Sequence, residues 1–204
     1  MLISYEQLGR TRQKARTRTA LLDAARELLT QGRTPTVEEA AEAAGVSRAT
    51  AYRYFRNQRA LLVATHPEIE ATAFLGEDAP TDPQERLDRT IGELIRFTID
   101  TEPELRTMLR LSLEPGPEEE FLLRQGRAIG WIDEALAPLR GGLPQPALRR
   151  LVLAIRSACG IEALVWLTDV AGLSRQQAAE LMRWSALALL RGALAEGDEP
   201  DDRT

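Results

Sequence analysis

TVEEAAEAAGVSRATAYRYFRNQRALL, residues 36–62, is the stretch on which the reading of this chain turns. Thr36 and Glu39 stand in the T-x-x-E spacing of a capping box, which starts a helix by satisfying two of its free N–H groups. Ala44-Gly45-Val46-Ser47 then reads as a tight turn. Gly45 can take the left-handed conformation that closes a helix, and Ser47 is placed to cap the next one. A helix, a turn of three to four residues and a second helix form the unit that lays its second helix in the DNA major groove.

The second helix has the faces this use requires. At about 100° per residue, Ala51 and Phe55 fall on one side, the buried one. Ala49, Thr50 and Arg53 cluster opposite, on the side that would meet base edges. Tyr52 and Tyr54 lie on the flanks, and Arg48 sits in the first turn, from which recognition helices commonly touch bases. Arg pairs with guanine, and Thr can read several groups. An ordinary solvated helix offers no reason for exposed tyrosines on both sides of an exposed arginine.

The segment AGVSRATAYRYFRNQRALL resembles the DNA-binding signature of the TetR family of bacterial repressors. The similarity continues upstream through RTALLDAARELLTQG and covers residues 16 to 65. It implies an N-terminal DNA-binding bundle, a helical body whose last two helices form a four-helix dimer interface, and DNA contacts from Arg48 to Tyr54. Many members carry Asn-Lys at the start of the fourth helix, where this chain has Asn57-Gln58. A phosphate contact from a lysine is then missing there, with Arg56 or Arg59 as its replacement, and Asn57 joins the candidate DNA-binding residues.

Charge divides with position. The net charge of −5 looks wrong for a DNA binder, yet residues 1–66 hold eleven Lys and Arg against six Asp and Glu. The remaining residues hold fifteen against twenty-five. A basic third on an acidic body is the asymmetry expected when one part meets phosphate and the other does not. Residues 1–18 read as a flexible arm. Within it Arg16 and Arg18, just before an amphipathic helix, are expected at phosphate or in the minor groove. Thr36, at the start of the second helix, completes the candidate DNA-binding set.

Periodicity predicts helices throughout. The first runs from about Thr19 to Gln31, where Gly32 ends it, and the fourth from Gln58 to Thr65, stopped by Pro67. The segment AFLGEDAPTD reads as a linker. Asp82-Pro83-Gln84-Glu85 restarts a helix that buries Leu87, Ile91, Leu94, Ile95 and Thr98, and Thr101 to Glu104 reads as a further capping box. Another helix is expected from Glu118 to Leu139, then a long one through ALRRLVLAIRSACGIEALVWLTDVAG, then a last one capped by Ser174 and Gln177. Residues 157–168 are apolar on nearly every side, which implies burial on every side. In a chain this short, a second copy is needed to cover one of them. The expected architecture is all-α, with an arm and helix-turn-helix domain at 1–66, a five-helix body for dimerisation and ligand binding at 67–197, and a tail at 198–204.

Catalysis has no constellation to rest on. One His, His66, one Cys, Cys159, and no H-x-x-x-H, G-x-S-x-G or P-loop pattern leave metal, nucleophilic and phosphoryl-transfer chemistry without their usual parts. No catalytic residue, metal site or cofactor is expected. No apolar run long enough to span a bilayer is expected, nor a secretory leader, and a single cysteine suits a reducing compartment, so the chain reads as cytoplasmic. Two functions remain. One is a repressor released from an inverted-repeat operator by an apolar or amphipathic ligand held among Phe97, Met108, Phe121, Trp131 and Trp166. The other is a constitutive or architectural DNA-binding protein whose body only dimerises. Each of those five side chains has core packing as its plainer role.

Overall fold

The structure is a computed structural model that describes residues 5–65, 74–76, 78–114 and 127–197. It is all-α, with no strand among the described residues. The helices are α1 (Tyr5–Thr30), α2 (Val37–Ala43), α3 (Arg48–Tyr54), α4 (Gln58–Ala64), α5 (Pro83–Asp100), α6 (Glu102–Leu113), α7 (Arg127–Ala135), α8 (Gln145–Ala158), α9 (Ile161–Val165) and α10 (Arg175–Gly197). A 3-10 turn follows α7 at Ala137–Gly141, and a π-helical turn follows α9 at Trp166–Val170. The chain separates into two compact units, residues 1–68 with 103–123 and residues 69–102 with 124–204.

The first unit joins a core of alanines and large apolar side chains to strong helix ends. Leu21, Leu22, Ala25, Val37, Ala40, Ala41, Ala51, Phe55 and Leu61 form its core. Alanines on α2 and α3 let α2 approach both α1 and α3 closely. Helices of seven residues are too short to persist alone in water, so their ends matter. Thr36 and Glu39 make the reciprocal capping box, with Glu39 N–H donating to Thr36 Oγ1 at 3.1 Å and Thr36 N–H to Glu39 Oε2 at 2.8 Å. Gly45 has φ +65, and Val46 N–H donates to Ala41 O at 2.8 Å, a Schellman closure. Ser47 and Asn57 cap α3 and α4, accepting from the N–H groups of Thr50 and Ala60. A second cluster, Leu29, Leu62, Met108 and Leu111, brings α6 into this unit, and Arg59 Nη2 donates to Leu111 O at 3.2 Å.

The flexible arm expected over residues 1–18 requires correction, because α1 is helical from Tyr5 onward. The stretch has no proline, and its four arginines and two glutamines are good helix formers. Its one glycine, Gly9, costs about 1 kcal/mol, too little to end a helix already propagating from Thr19. Residues 1–4 lie outside the described residues.

The second unit packs α5, α7, α8 and α10 against one another. Asp82 accepts from Glu85 N–H at 2.8 Å with Pro83 at the first helical position, and Leu87, Ile91, Leu94, Ile95 and Thr98 are buried as their spacing requires. Arg86 ties the start of α5 to the end of α7, donating to the carbonyls of Glu134 at 2.8 Å and Ala135 at 3.0 Å. Ser174 and Gln177 exchange the two bonds of a capping box at the start of α10. The box expected between Thr101 and Glu104 is absent. Thr101 Oγ1 instead donates back to Phe97 O at 2.7 Å and closes α5.

Two other expectations change. The helix predicted over 118–139 is described from Arg127 and stops at Ala135, where Pro138 turns the chain into a 3-10 helix; its earlier part lies outside the described residues. The long helix after Pro146 is broken at Cys159–Gly160. Arg156 and Glu162 pair across this break at 3.3 Å, and a Cβ on Gly160 would fall 1.9 Å from Arg156 Nη1. The stretch Gln145–Val170 is long and apolar enough to cross a membrane, with a hydropathy of 1.6, contrary to the sequence expectation. Of its most apolar 18-residue window, 44% is buried within the chain.

Candidate nucleic-acid interface

The reading helix α3 is held by its inner face and offers its outer one. Ala51 is fully buried and Phe55 nearly so. Ala49 and Arg53 are exposed, and Arg53 makes no hydrogen bond or ion pair among the described residues. Thr50 is half-buried, its hydroxyl accepting from Ser47 Oγ at 2.9 Å. Tyr52 is exposed. Tyr54 is not on an open flank, as expected, but half-buried against the core cluster. It lies three residues after Ala51 and one before Phe55, so the inward face is wide enough to include it.

Sequence reasoning missed Glu38. This residue on α2 accepts a hydrogen bond from Tyr52 Oη at 2.7 Å and one from Arg48 Nη2 at 2.8 Å. The Tyr52 hydroxyl first, and then the Arg48 guanidinium, hold the Glu38 carboxyl down to about 2. The same contacts raise the pKa values of Tyr52 and Arg48, with the Glu38 hydrogen bond the main cause for each. The only sequence signal was an acid on the face of α2 next to the turn, which looks like any solvated charge.

The other candidates are placed as follows. Arg16 is exposed on α1, and Arg18 lies over the Phe55 ring, 5.8 Å from its centroid. This is within cation–π reach. Thr36 and Asn57 are helix caps. Gln58, where relatives of the resembled family often have Lys, donates to the carbonyls of Thr34 and Pro35 at 3.3 and 3.2 Å. Arg59 is committed to α6 through Leu111 O and Glu114, whereas Arg56 is exposed.

The four described candidate ligand side chains are distributed over both units. Met108 is in the core cluster with Leu29, Leu62 and Leu111. Phe97 is half-buried on α5, and Trp131 is buried against Phe74 with ring centroids 4.4 Å apart. Trp166 is 59% exposed on the π-turn. Phe121 lies outside the described residues. A groove of about 840 Å³ runs between α8 and α10, lined by Leu143, Ala147, Leu151, Trp184, Ala188 and Leu189 among others, and by none of those four. Burial pushes the Cys159 thiol up to about 12, so it is protonated at neutral pH. Among the described residues no group of three or more His, Cys, Asp or Glu is arranged to hold a metal ion.

A capped helix-turn-helix with a locked inner face and an open outer one defines a class, the helix-turn-helix DNA-binding proteins. Residues 21–65 match the family model of the bacterial regulatory proteins, tetR family. This segment therefore resembles the DNA-binding domain of that family. The crystal structure of a TetR transcriptional regulator from Rhodococcus sp. RHA1 is similar over 88% of this chain and 98% of that one, with 24% identity and a TM-score of 0.48. No curated protein matches the chain.

Proposed function

We propose that the protein is a dimeric repressor that holds an inverted-repeat operator and is released from it by a small apolar or amphipathic molecule. The observation that carries the DNA reading is α3 itself: Arg53 and Ala49 are exposed while Ala51 and Phe55 anchor the helix. An exposed Arg on a fixed helix can make the bidentate contact to guanine that specifies a base. The exposed arginines Arg16, Arg18 and Arg56 of the same unit offer positive charge for phosphate.

Dimerisation is supported by the face of α8 and α10. Trp184 is 62% exposed, with Leu153, Leu181 and Leu189 also open. Apolar surface of this extent marks an association site. The half-buried small residues Ser185 and Ala188, with exposed Gly192, would let a second copy's helix approach closely. A two-fold pair of recognition helices binds half-sites about one helical turn apart. The place of work is then the cytoplasm, where bacterial DNA lies.

Release requires a ligand that prefers the DNA-free form, since only differential affinity moves an equilibrium. Phe97 and Trp131 are the apolar body residues proposed to meet it. The constitutive reading is favoured by one observation: Trp131 is already packed against Phe74. Selection of bound duplexes from a random-sequence library tests the DNA reading, and an inverted repeat is the expected result. Recovery of no common sequence would overturn it. An inducer should raise the melting temperature of the free protein and weaken binding to the selected duplex by about 5- to 150-fold. Broad screens yielding no compound that does both would favour the constitutive protein.

A further inference from the structure

We infer that Glu38 is a specificity-determining residue, which holds Arg48 and Tyr52 in place for the correct site and withholds Arg48 from indiscriminate phosphate contact. The inference rests on the DNA-binding reading above. Its basis is the geometry around one carboxylate oxygen. Arg48 and Tyr52 are four residues apart on α3 and so share a stripe. Both donate to Glu38 Oε1, which reaches them from α2. The flank of α3 that carries Arg48 is therefore neutralised and fixed, while Arg53 has no such partner.

The consequence differs between two kinds of complex. Binding to arbitrary DNA is held by phosphate contacts, each adding about 0.9 to the slope of log affinity against log salt. A freed Arg48, whose side chain is 75% exposed, would supply one more contact of this kind. On the correct site α3 is oriented by base edges. There Tyr52 and Arg48 are needed where Glu38 puts them, and a swinging Arg48 adds nothing selective. Glu38 also presents a negative charge to the phosphates, a cost that only a well-fitted complex offsets.

The test compares the full-length protein with Glu38→Gln, on the duplex recovered by selection and on a scrambled duplex of equal length and composition, over a range of salt. Glu38→Gln should bind the scrambled duplex more tightly, with a salt slope steeper by about one. It should bind the selected duplex no better, so the specificity ratio should fall by about threefold or more. In the double variant Glu38→Gln/Arg48→Ala the extra slope should vanish, since double variants isolate such coupling. Helical circular dichroism should be unchanged, because the position is on the surface. An unaltered ratio and slope would overturn the inference, as would parallel gains on both duplexes, which would make Glu38 a uniform electrostatic influence. Failure of the unaltered protein to bind any duplex would instead remove the DNA-binding reading, and this inference with it.

Discussion

The short helices α2 to α4 and the long helices α8 and α10 bury apolar surface in opposite ways. In the first region the core closes alanines such as Ala40, Ala41 and Ala51 around Leu21, Phe55 and Leu61, and every helix start from α2 to α4 carries a side-chain cap. In the second the side chains are large, and several, such as Trp184 and Leu189, remain open. A region that must present one fixed surface to DNA is specified by local devices. On the dimer proposed above, a region completed by a second chain would leave part of its apolar face uncovered. The contrast predicts that variants in the two regions will fail differently.

The largest expected effect is on the open face. Ala188→Arg places a long charged side chain in the groove between α8 and α10, and should give monomers by sedimentation with binding to the inverted repeat largely lost. A stable dimer in this variant would mean that the uncovered face is not the dimer contact. Next comes the closed core. Leu61 in the first unit and Leu164 in the second are both fully buried. Truncating either to Ala should cost about 2–5 kcal/mol. Hydrogen exchange should show Leu61→Ala loosening residues 21–65 more than α8 and α10. Equal loosening of both units would break the division between them.

How far each region was legible follows from the same contrast. Thr36, Glu39, Gly45 and Ser47 act within a few residues of themselves, so spacing alone reveals what they do. An apolar repeat on a helix such as α6 does not say which partner it meets. Met108 and Leu111 turn out to pack with Leu29 and Leu62 of the first unit. Glu38 was hidden for the same reason, since its partners lie ten and fourteen residues away on another helix. Tyr54 is half-buried because the inward face of α3 is wider than a wheel of ideal angles draws it. Gly9 and the mixed charges of the first residues imitate a loose arm, although nothing in them stops a helix.

Smaller effects sharpen the comparison. Asn57→Ala removes the cap of α4 and should cost about 0.5–2 kcal/mol in chemical denaturation. An unchanged midpoint would show that packing alone sustains this helix. The pair between Asp88 on α5 and Arg183 on α10 should matter least. The Arg183 hydrogen bonds hold the Asp88 carboxyl below the usual carboxylate range. Its stabilising contribution is therefore present above the unfolded pKa and is lost as pH falls through the depressed value. The pair is largely exposed, so Asp88→Asn should cost about 0–1 kcal/mol at neutral pH, with the difference from the unaltered protein shrinking in acid. A difference that grew in acid would contradict this assignment.

The outward face of α3 is where the whole functional reading is most directly exposed to test. Duplex selection should be run in parallel on the unaltered protein and on Arg53→Ala, with affinities measured on the sequence that the unaltered protein recovers. Arg53→Ala should lose about 1–3 kcal/mol on that sequence and relax the preference at one base position in each half-site, leaving the other positions as they were. An unchanged base preference in Arg53→Ala would contradict the assignment of Ala49, Thr50 and Arg53 as the face that reads DNA.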